Sequence, residues 1–203
     1  MSITLHPHQS SLIDKIRSSM RSGCKRNLVV APTGMGKTIL ASYMLKSASS
    51  RGMTSWFIVH RKELIEQSAV AFNKVGVKFG IISPHFYPDY RCRIQIASIQ
   101  TLANRLHLLP PPSMIVWDEC AHIAAKSWSK VFDKYPNVFH IGLTATPTRL
   151  DGKGLDDFFD KLILGPSVRW LIDNSYLSDY RVFVPHGGVN TSGIMPRIGI
   201  TIG

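Results

Sequence analysis

The feature that most restricts the fold is a series of short apolar runs, each followed by a segment of helical period. Residues 27–31 (NLVVA), 55–59 (SWFIV), 93–97 (RIQIA), 113–117 (SMIVW) and 138–143 (VFHIGL) form the runs. Most are apolar on both alternating faces, as strands covered from both sides are. Between them, Leu12, Ile13, Ile16 and Met20 share one helix face after Pro7, and proline is favoured at a helix start. Leu40, Ala41, Met44, Leu45 and Ala48 repeat that period, as do Leu64, Ile65, Ala69 and Phe72. Strand alternating with helix predicts an α/β domain with a mostly parallel sheet and helices on both faces. Pro110, Pro111 and Pro112 are expected to end a helix and introduce the strand at Ser113. Past about Val184 the pattern fades into a glycine-rich stretch. The expected organisation is one domain over residues 1–184 and a weakly patterned tail over 185–203.

Composition narrows the functional classes. Of 203 residues, 44% are hydrophobic and 18% charged, which excludes a mainly disordered chain. No uninterrupted apolar run approaches the roughly 18 residues of a membrane span, and the N-terminus carries no secretory signal pattern. Three cysteines (Cys24, Cys92, Cys120) without close spacing read as reduced thiols of a cytoplasmic protein and give no zinc-site pattern. A formal charge of +11 points to an anionic partner.

The strongest chemical signal follows the first strand. Residues 32–38 read PTGMGKT and run into a helix. Gly34 and Gly36 permit the positive φ angles that turn successive backbone N–H groups onto an anion. The helix behind them adds its own free N–H groups and dipole. Thr33, Gly34, Met35, Gly36, Lys37 and Thr38 are therefore assigned to phosphate binding. Lys37 reaches the β- and γ-phosphates, and the Thr38 hydroxyl is a magnesium ligand. A second signal is the apolar strand ending in Asp118 and Glu119. Ligand sites of open α/β sheets lie at the carboxyl ends of strands. Asp118 then belongs to the metal shell, and Glu119 to the attacking water.

With these motifs in place, the chain resembles the first RecA-like motor domain of superfamily-2 helicases, the DEAD/DEAH-box group and related translocases of phage and bacteria. APTGMGKT (31–38) matches motif I, DEC (118–120) motif II and TATP (144–147) motif III. VHRKELIEQ (59–67) and ASIQTL (97–102) are similar to motifs Ia and Ib, and LHPHQ (5–9) to the adenine-reading glutamine motif. The resemblance implies a RecA-like P-loop NTPase fold, ATP and Mg²⁺ as cofactors, and Lys37, Asp118 and Glu119 as catalytic residues. It implies Gln9 at the base, and Thr144 and Thr146 coupling nucleotide state to nucleic-acid grip. It also implies nucleic-acid contacts from His60, Arg61, Ser98 and Thr101. DNA is the partner suggested by this branch, with RNA equally compatible with the motifs.

Two departures matter. Motif II usually reads D-E-x-H, whereas Ala121 stands fourth here and His122 follows. Either His122 takes over the coupling role or the coupling is weakened. The family also uses a second RecA-like domain, in cis or in trans, that carries arginine fingers. An arginine finger is worth roughly 10³–10⁵ in rate, so slow hydrolysis is expected of this chain alone. Two further readings stay open at this stage. One is a non-catalytic nucleic-acid- or protein-binding fragment with a vestigial nucleotide site, and the other is the motor part of a restriction or repair complex.

Overall fold

The computed structural model describes residues 4–84, 86–122, 126–147 and 155–179. In chain order the elements are α1 (Pro7–Arg21), β1 (Arg26–Val30), α2 (Lys37–Ser50), β2 (Ser55–Val59), α3 (Lys62–Val75), β3 (Gly80–Ile82) and β4 (Ile94–Ser98). There follow α4 (Ile99–Arg105), β5 (Met114–Trp117), the 3₁₀ turn Cys120–His122, α5 (Lys126–Lys134), β6 (Phe139–Thr144), β7 (Lys161–Leu164) and α6 (Val168–Asp173). All seven strands pair in parallel, in the order β3-β4-β2-β5-β6-β1-β7. Every strand therefore ends on the same side of the sheet, where α/β folds bind their ligands.

The five expected strands all form, each within a residue of its apolar run. The interior strands β2, β4 and β5 are buried along their whole length, as a sheet covered from both faces requires. One cluster of buried side chains lies under α1, α2 and α3 and includes Leu12, Leu40, Leu45, Ile65 and Phe72. The other lies under α4 and α5 and includes Leu102, Trp128 and Val131. Helices on both faces are thus confirmed. Pro7 opens α1 as its first residue, and the Gln9 side chain accepts from the His6 N–H at 3.0 Å, closing the helix entry.

One local expectation needs correction. The helix before the proline triplet ends at Arg105, so the prolines shape a loop and not the helix end. Strands β3 and β7 were not legible. β3 is three residues long, and β7 lies at the sheet edge with three of its four residues exposed, so neither shows a two-faced apolar run. Asp156 and Asp157 sit exposed in the turn before β7, and Asp160 N–H donates to Arg26 O at 2.9 Å. The tail over 185–203 lies outside the described residues.

Beneath the strand ends is a stack of aromatic rings. Trp117 lies against Trp128 and Phe132 with centroids at 4.7 and 4.6 Å, and Phe132 against His140 at 4.4 Å. His140 is fully buried. Its Nδ1 accepts from Trp117 Nε1–H at 3.1 Å, so the proton sits on Nε2, 2.8 Å from Tyr135 O. Both ring nitrogens are satisfied only in the neutral form. Burial accordingly lowers the His140 pKa to about 4.

A neutral histidine of this kind stabilises the fold fully above its unfolded pKa of 6.5, and the stability is lost as pH falls towards 4. The linkage is on the order of 2–3 kcal/mol. Urea unfolding of wild type and His140→Gln between pH 7.5 and 4 should show the wild-type advantage shrinking by that amount as the pH drops. A constant difference would contradict the neutral, buried assignment.

Candidate functional site: a phosphate loop facing a carboxylate pair

The loop between β1 and α2 takes the backbone its glycines were expected to supply. Gly34 has φ +85° and Gly36 φ +83°. Gly36 is the N-cap of α2, so the first free N–H groups of that helix open onto the loop. Each glycine is also closely approached by a neighbouring side-chain tip. A Cβ on Gly36 would stand 2.6 Å from Gln9 Nε2, and one on Gly34 would stand 2.7 Å from Leu177 Cδ2. Thr33 and Gly34 are exposed, Met35 is buried, and Thr38 is half-buried at the head of α2.

Motif II approaches from β5, two strands away across β6. Lys37, only 8% exposed, donates from Nζ to Ala31 O at 3.2 Å and lies 3.5 Å from Glu119 Oε1. The phosphate loop and the Asp118–Glu119 pair therefore meet directly at one end of the sheet. Glu119 has φ +49°, a left-handed conformation that a non-glycine side chain adopts at a cost of about 1 kcal/mol or more. That backbone turns the chain out of β5 while the Asp118 N–H still pairs with Ile58 O at 2.9 Å.

Asp118 is buried, and burial together with the neighbouring Glu119 pushes its carboxyl up to about 6, partly opposed by Lys37. A buried carboxylate held this unfavourably is matched to a cation. With the Thr38 hydroxyl it offers two hard oxygen donors, the usual protein share of a magnesium shell completed by phosphate and water. The residues present thus fit Mg²⁺. Among the described residues no group of three or more metal-ligating side chains gathers elsewhere. Cys120 is fully buried with its thiol pushed well up by burial, an inert filler behind the pair.

Motif III closes on itself. Thr144 Oγ1 donates to Thr146 O at 2.7 Å and accepts from Thr146 N–H at 3.1 Å, with Thr144 buried at the end of β6 and Thr146 exposed. β6 lies between β1 and β5, so this turn stands between the phosphate loop and the carboxylates. The backbone of His122 ends the 3₁₀ turn, and its side chain lies outside the described residues.

Gln9 is buried and ties the glutamine motif to the loop, donating from Nε2 to Met35 O at 2.9 Å. Beside it opens a cleft of about 250 Å³, walled by His6, His8, Gly34, Gly36, Ile39 and Tyr176. Tyr176 meets the His6 and His8 rings edge-on at 5.0 and 4.4 Å. Tyr176 and Leu177 follow α6, and both donate their N–H to Leu171 O, at 2.8 and 3.1 Å. The sequence reading missed this wall. Its one local sign is a pair of bulky residues after a short polar turn, and only the fold brings them to the loop.

The four residues assigned to nucleic acid lie at neighbouring strand ends, since Val59 of β2 pairs with Ser98 of β4. His60 is half-buried and Arg61 is exposed. Gln100 Nε2 donates to His60 O at 3.3 Å and joins the two segments. Ser98 Oγ accepts from the Thr101 N–H at 3.4 Å and caps α4, and both side chains are buried. Ser98 and Thr101 therefore shape this edge, whereas Arg61 is the group that projects from it.

The family described as the type III restriction enzyme, res subunit, matches residues 2–149. The chain belongs to this family. It is 33% identical over 156 residues to the 51.5 kDa protein of a Lactococcus phage, covering 77% of this chain and 32% of that protein. It is 30% identical over 131 residues to the DNA 3'-5' translocase XPB2 of Sulfurisphaera tokodaii, covering 64% of this chain and 29% of that protein. The chain thus spans about a third of the length of these curated relatives. Among solved structures, the UvsW helicase of bacteriophage T4 matches with a TM-score of 0.63 at 19% identity, covering 80% of this chain and 60% of that one. The type ISP restriction-modification enzyme LlaBIII matches with a TM-score of 0.67 at 15% identity, covering 89% of this chain and 16% of that one.

The resemblance to the first RecA-like domain of superfamily-2 helicases is thereby borne out, and so is the fold class. In this member of the family the matched span contains the phosphate loop, the Asp118–Glu119 pair and the Thr144–Thr146 turn.

A carboxyl raised from 3.8 to about 6 leaves the folded state most favoured below pH 3.8, and that advantage is lost as pH rises through 6. Asp118→Asn should therefore unfold at higher urea than wild type at pH 8 in metal-free buffer, by about 2–3 kcal/mol. The gain should vanish by pH 4. An Asn variant less stable than wild type at pH 8 would show that Asp118 is not held against its charge.

Proposed function

We propose that the chain is the ATP-binding half of a nucleic-acid-dependent ATPase motor. The observation that carries this reading is the Lys37–Glu119 contact, because it sets the phosphate loop against the carboxylates that motor chemistry uses. A triphosphate lies along the N–H groups of residues 33–38, where Lys37 exchanges Glu119 and Ala31 O for the β- and γ-phosphates. Its base enters the cleft beside Gln9, His6 and Tyr176, where amide hydrogen bonding and ring stacking favour adenine.

Thr38 and Asp118 hold Mg²⁺, which when bound neutralises phosphate charge. Glu119, released from Lys37, orients the attacking water and accepts its proton. The Thr144–Thr146 turn passes the nucleotide state to the edge formed by His60, Arg61, Ser98 and Thr101. Arg61 contacts the backbone phosphates of a strand, a position-setting contact without sequence information. His122 is assigned to the same coupling path.

The res-subunit family supports a motor within a restriction-type assembly. XPB2 is named a DNA translocase and LlaBIII is titled as bound to DNA, which favours DNA over RNA. A second RecA-like domain, in cis or in trans, supplies the charge that completes the nucleotide site. No helix among the described residues is long and apolar enough to cross a membrane, and Cys24, Cys92 and Cys120 are free thiols, which supports a cytoplasmic setting.

Lys37→Ala should abolish binding of a fluorescent ATP analogue, while Glu119→Gln should keep that binding and lose residual turnover. Unchanged nucleotide affinity in Lys37→Ala would reject the site. Single-stranded DNA affinity should also change several-fold when the analogue is added, in wild type but not in Lys37→Ala. Nucleotide-independent binding would favour a binding module over a motor.

A further inference from the structure

The positive charge of this chain is not concentrated at the nucleotide end. Because the strands are parallel and the flanking helices run back against them, the C-terminal ends of α1, α2 and α3 gather where the strands begin. Contacts across that end confirm it. Arg17 Nη2 donates to Ser47 Oγ at 3.2 Å, Lys46 Nζ to Val75 O at 2.6 Å, and Arg93 Nη1 to Ser49 O at 3.2 Å.

Each of these helices brings two cations. Arg17 and Arg21 lie one turn apart on α1. Lys46 and Arg51 stand at the end of α2, and Lys74 and Lys78 at the end of α3. Arg93, at the start of β4, continues the row. Acidic side chains are absent from residues 15–26, 46–55, 73–80 and 90–94. The nearest carboxylates in sequence, Asp14 and Asp89, already face Arg17 at 3.5 Å and Arg91 at 2.9 Å.

A solvated surface normally mixes the two signs, since like charges repel and opposite charges relieve them. Here the excess is left uncompensated, and Arg21, Arg51, Lys74 and Lys78 are all exposed. Arg17 and Arg51 also flank a cleft lined by Met20, Met44 and Met53, and an apolar wall weakens the screening of charge beside it. Three helices abreast at the usual 8–10 Å spacing set their ends over roughly 16–20 Å. That length matches about five or six nucleotides of a strand at 3.4 Å each.

We propose that this row is a second nucleic-acid contact surface, gripping a phosphate backbone at the end of the sheet opposite the phosphate loop. It rests on the motor reading to the extent that the chain works on nucleic acid. It differs from the Arg61 edge in lying beyond reach of the nucleotide, so its grip is independent of nucleotide state. Its contacts are charge to phosphate and carry no base preference.

The test is fluorescence anisotropy of a labelled duplex with the chain as it stands, from about 50 to 200 mM salt. Arg21→Gln/Arg51→Gln/Lys74→Gln/Lys78→Gln removes four cations that make no hydrogen bond or ion pair among the described residues. Arg51→Gln/Lys78→Gln is the milder companion, and Arg61→Gln reports the other edge. The fourfold variant should bind at least tenfold more weakly, with a log–log salt slope shallower by about 3, and the double variant by about half that. The loss should be equal with and without an ATP analogue, while Arg61→Gln alters only the nucleotide-dependent part.

Unchanged affinity and slope in both charge variants, with wild-type binding intact, would overturn this surface and leave the motor reading standing. Absence of nucleotide-sensitive DNA binding in wild type would count against the motor reading instead. Retained DNA binding with lost binding of poly-glutamate would assign the row to an acidic polypeptide and overturn the proposal.

Discussion

The site depends on one buried cation. Lys37 is held at the head of α2 with its ammonium between the carbonyl of Ala31 and the carboxylate of Glu119. The first comes from the end of β1 and the second from beyond β5, so the contact exists only because both strands point the same way. A parallel sheet is what places two loops, more than eighty positions apart in sequence, within reach of one side chain. Without its partners a nearly buried ammonium would be costly. With them, the ammonium is held where the loop and the carboxylate pair meet.

Around that contact the surrounding groups are held in tension. Asp118 is kept where its charge is disfavoured, and Glu119 adopts a backbone conformation that suits glycine better. Neither feature helps the chain fold. Both are sensible if the missing stabilisation comes from a ligand, since groups strained in the empty protein gain more on binding. The aromatic stack of Trp117, Trp128, Phe132 and His140 lies directly beneath. Its fully satisfied imidazole and indole give the strained turn a rigid floor.

The sequence was most readable where local chemistry is most demanding. Five buried strands, the phosphate loop with its two left-handed glycines, and the Asp118–Glu119 pair each leave a pattern within a few residues. Where a role depends on distant neighbours, the pattern disappears. β7 earns its place by pairing with β1, yet its own four residues are mostly exposed. Tyr176 and Leu177 reach the loop only through the path of β7 and α6. Ser98 and Thr101 illustrate the converse. Their position was foreseen, but the Ser98 side chain is occupied in capping α4 through the Thr101 N–H, and Thr101 Oγ1 lies buried 3.4 Å from it, a use that motif matching does not distinguish from ligand contact.

The seat of Leu177 on Gly34 has a mechanical meaning. Its methyl group fills the space that the missing glycine side chain leaves, and Tyr176 beside it walls the base cleft. Any displacement of this turn is felt first at the cleft and at the glycine loop. Conversely, a loop that shifts at Gly34 must either carry Leu177 along or eject it. Leu177 against Gly34, and Tyr176 against His6 and His8, together tie the turn after α6 to the glycine loop.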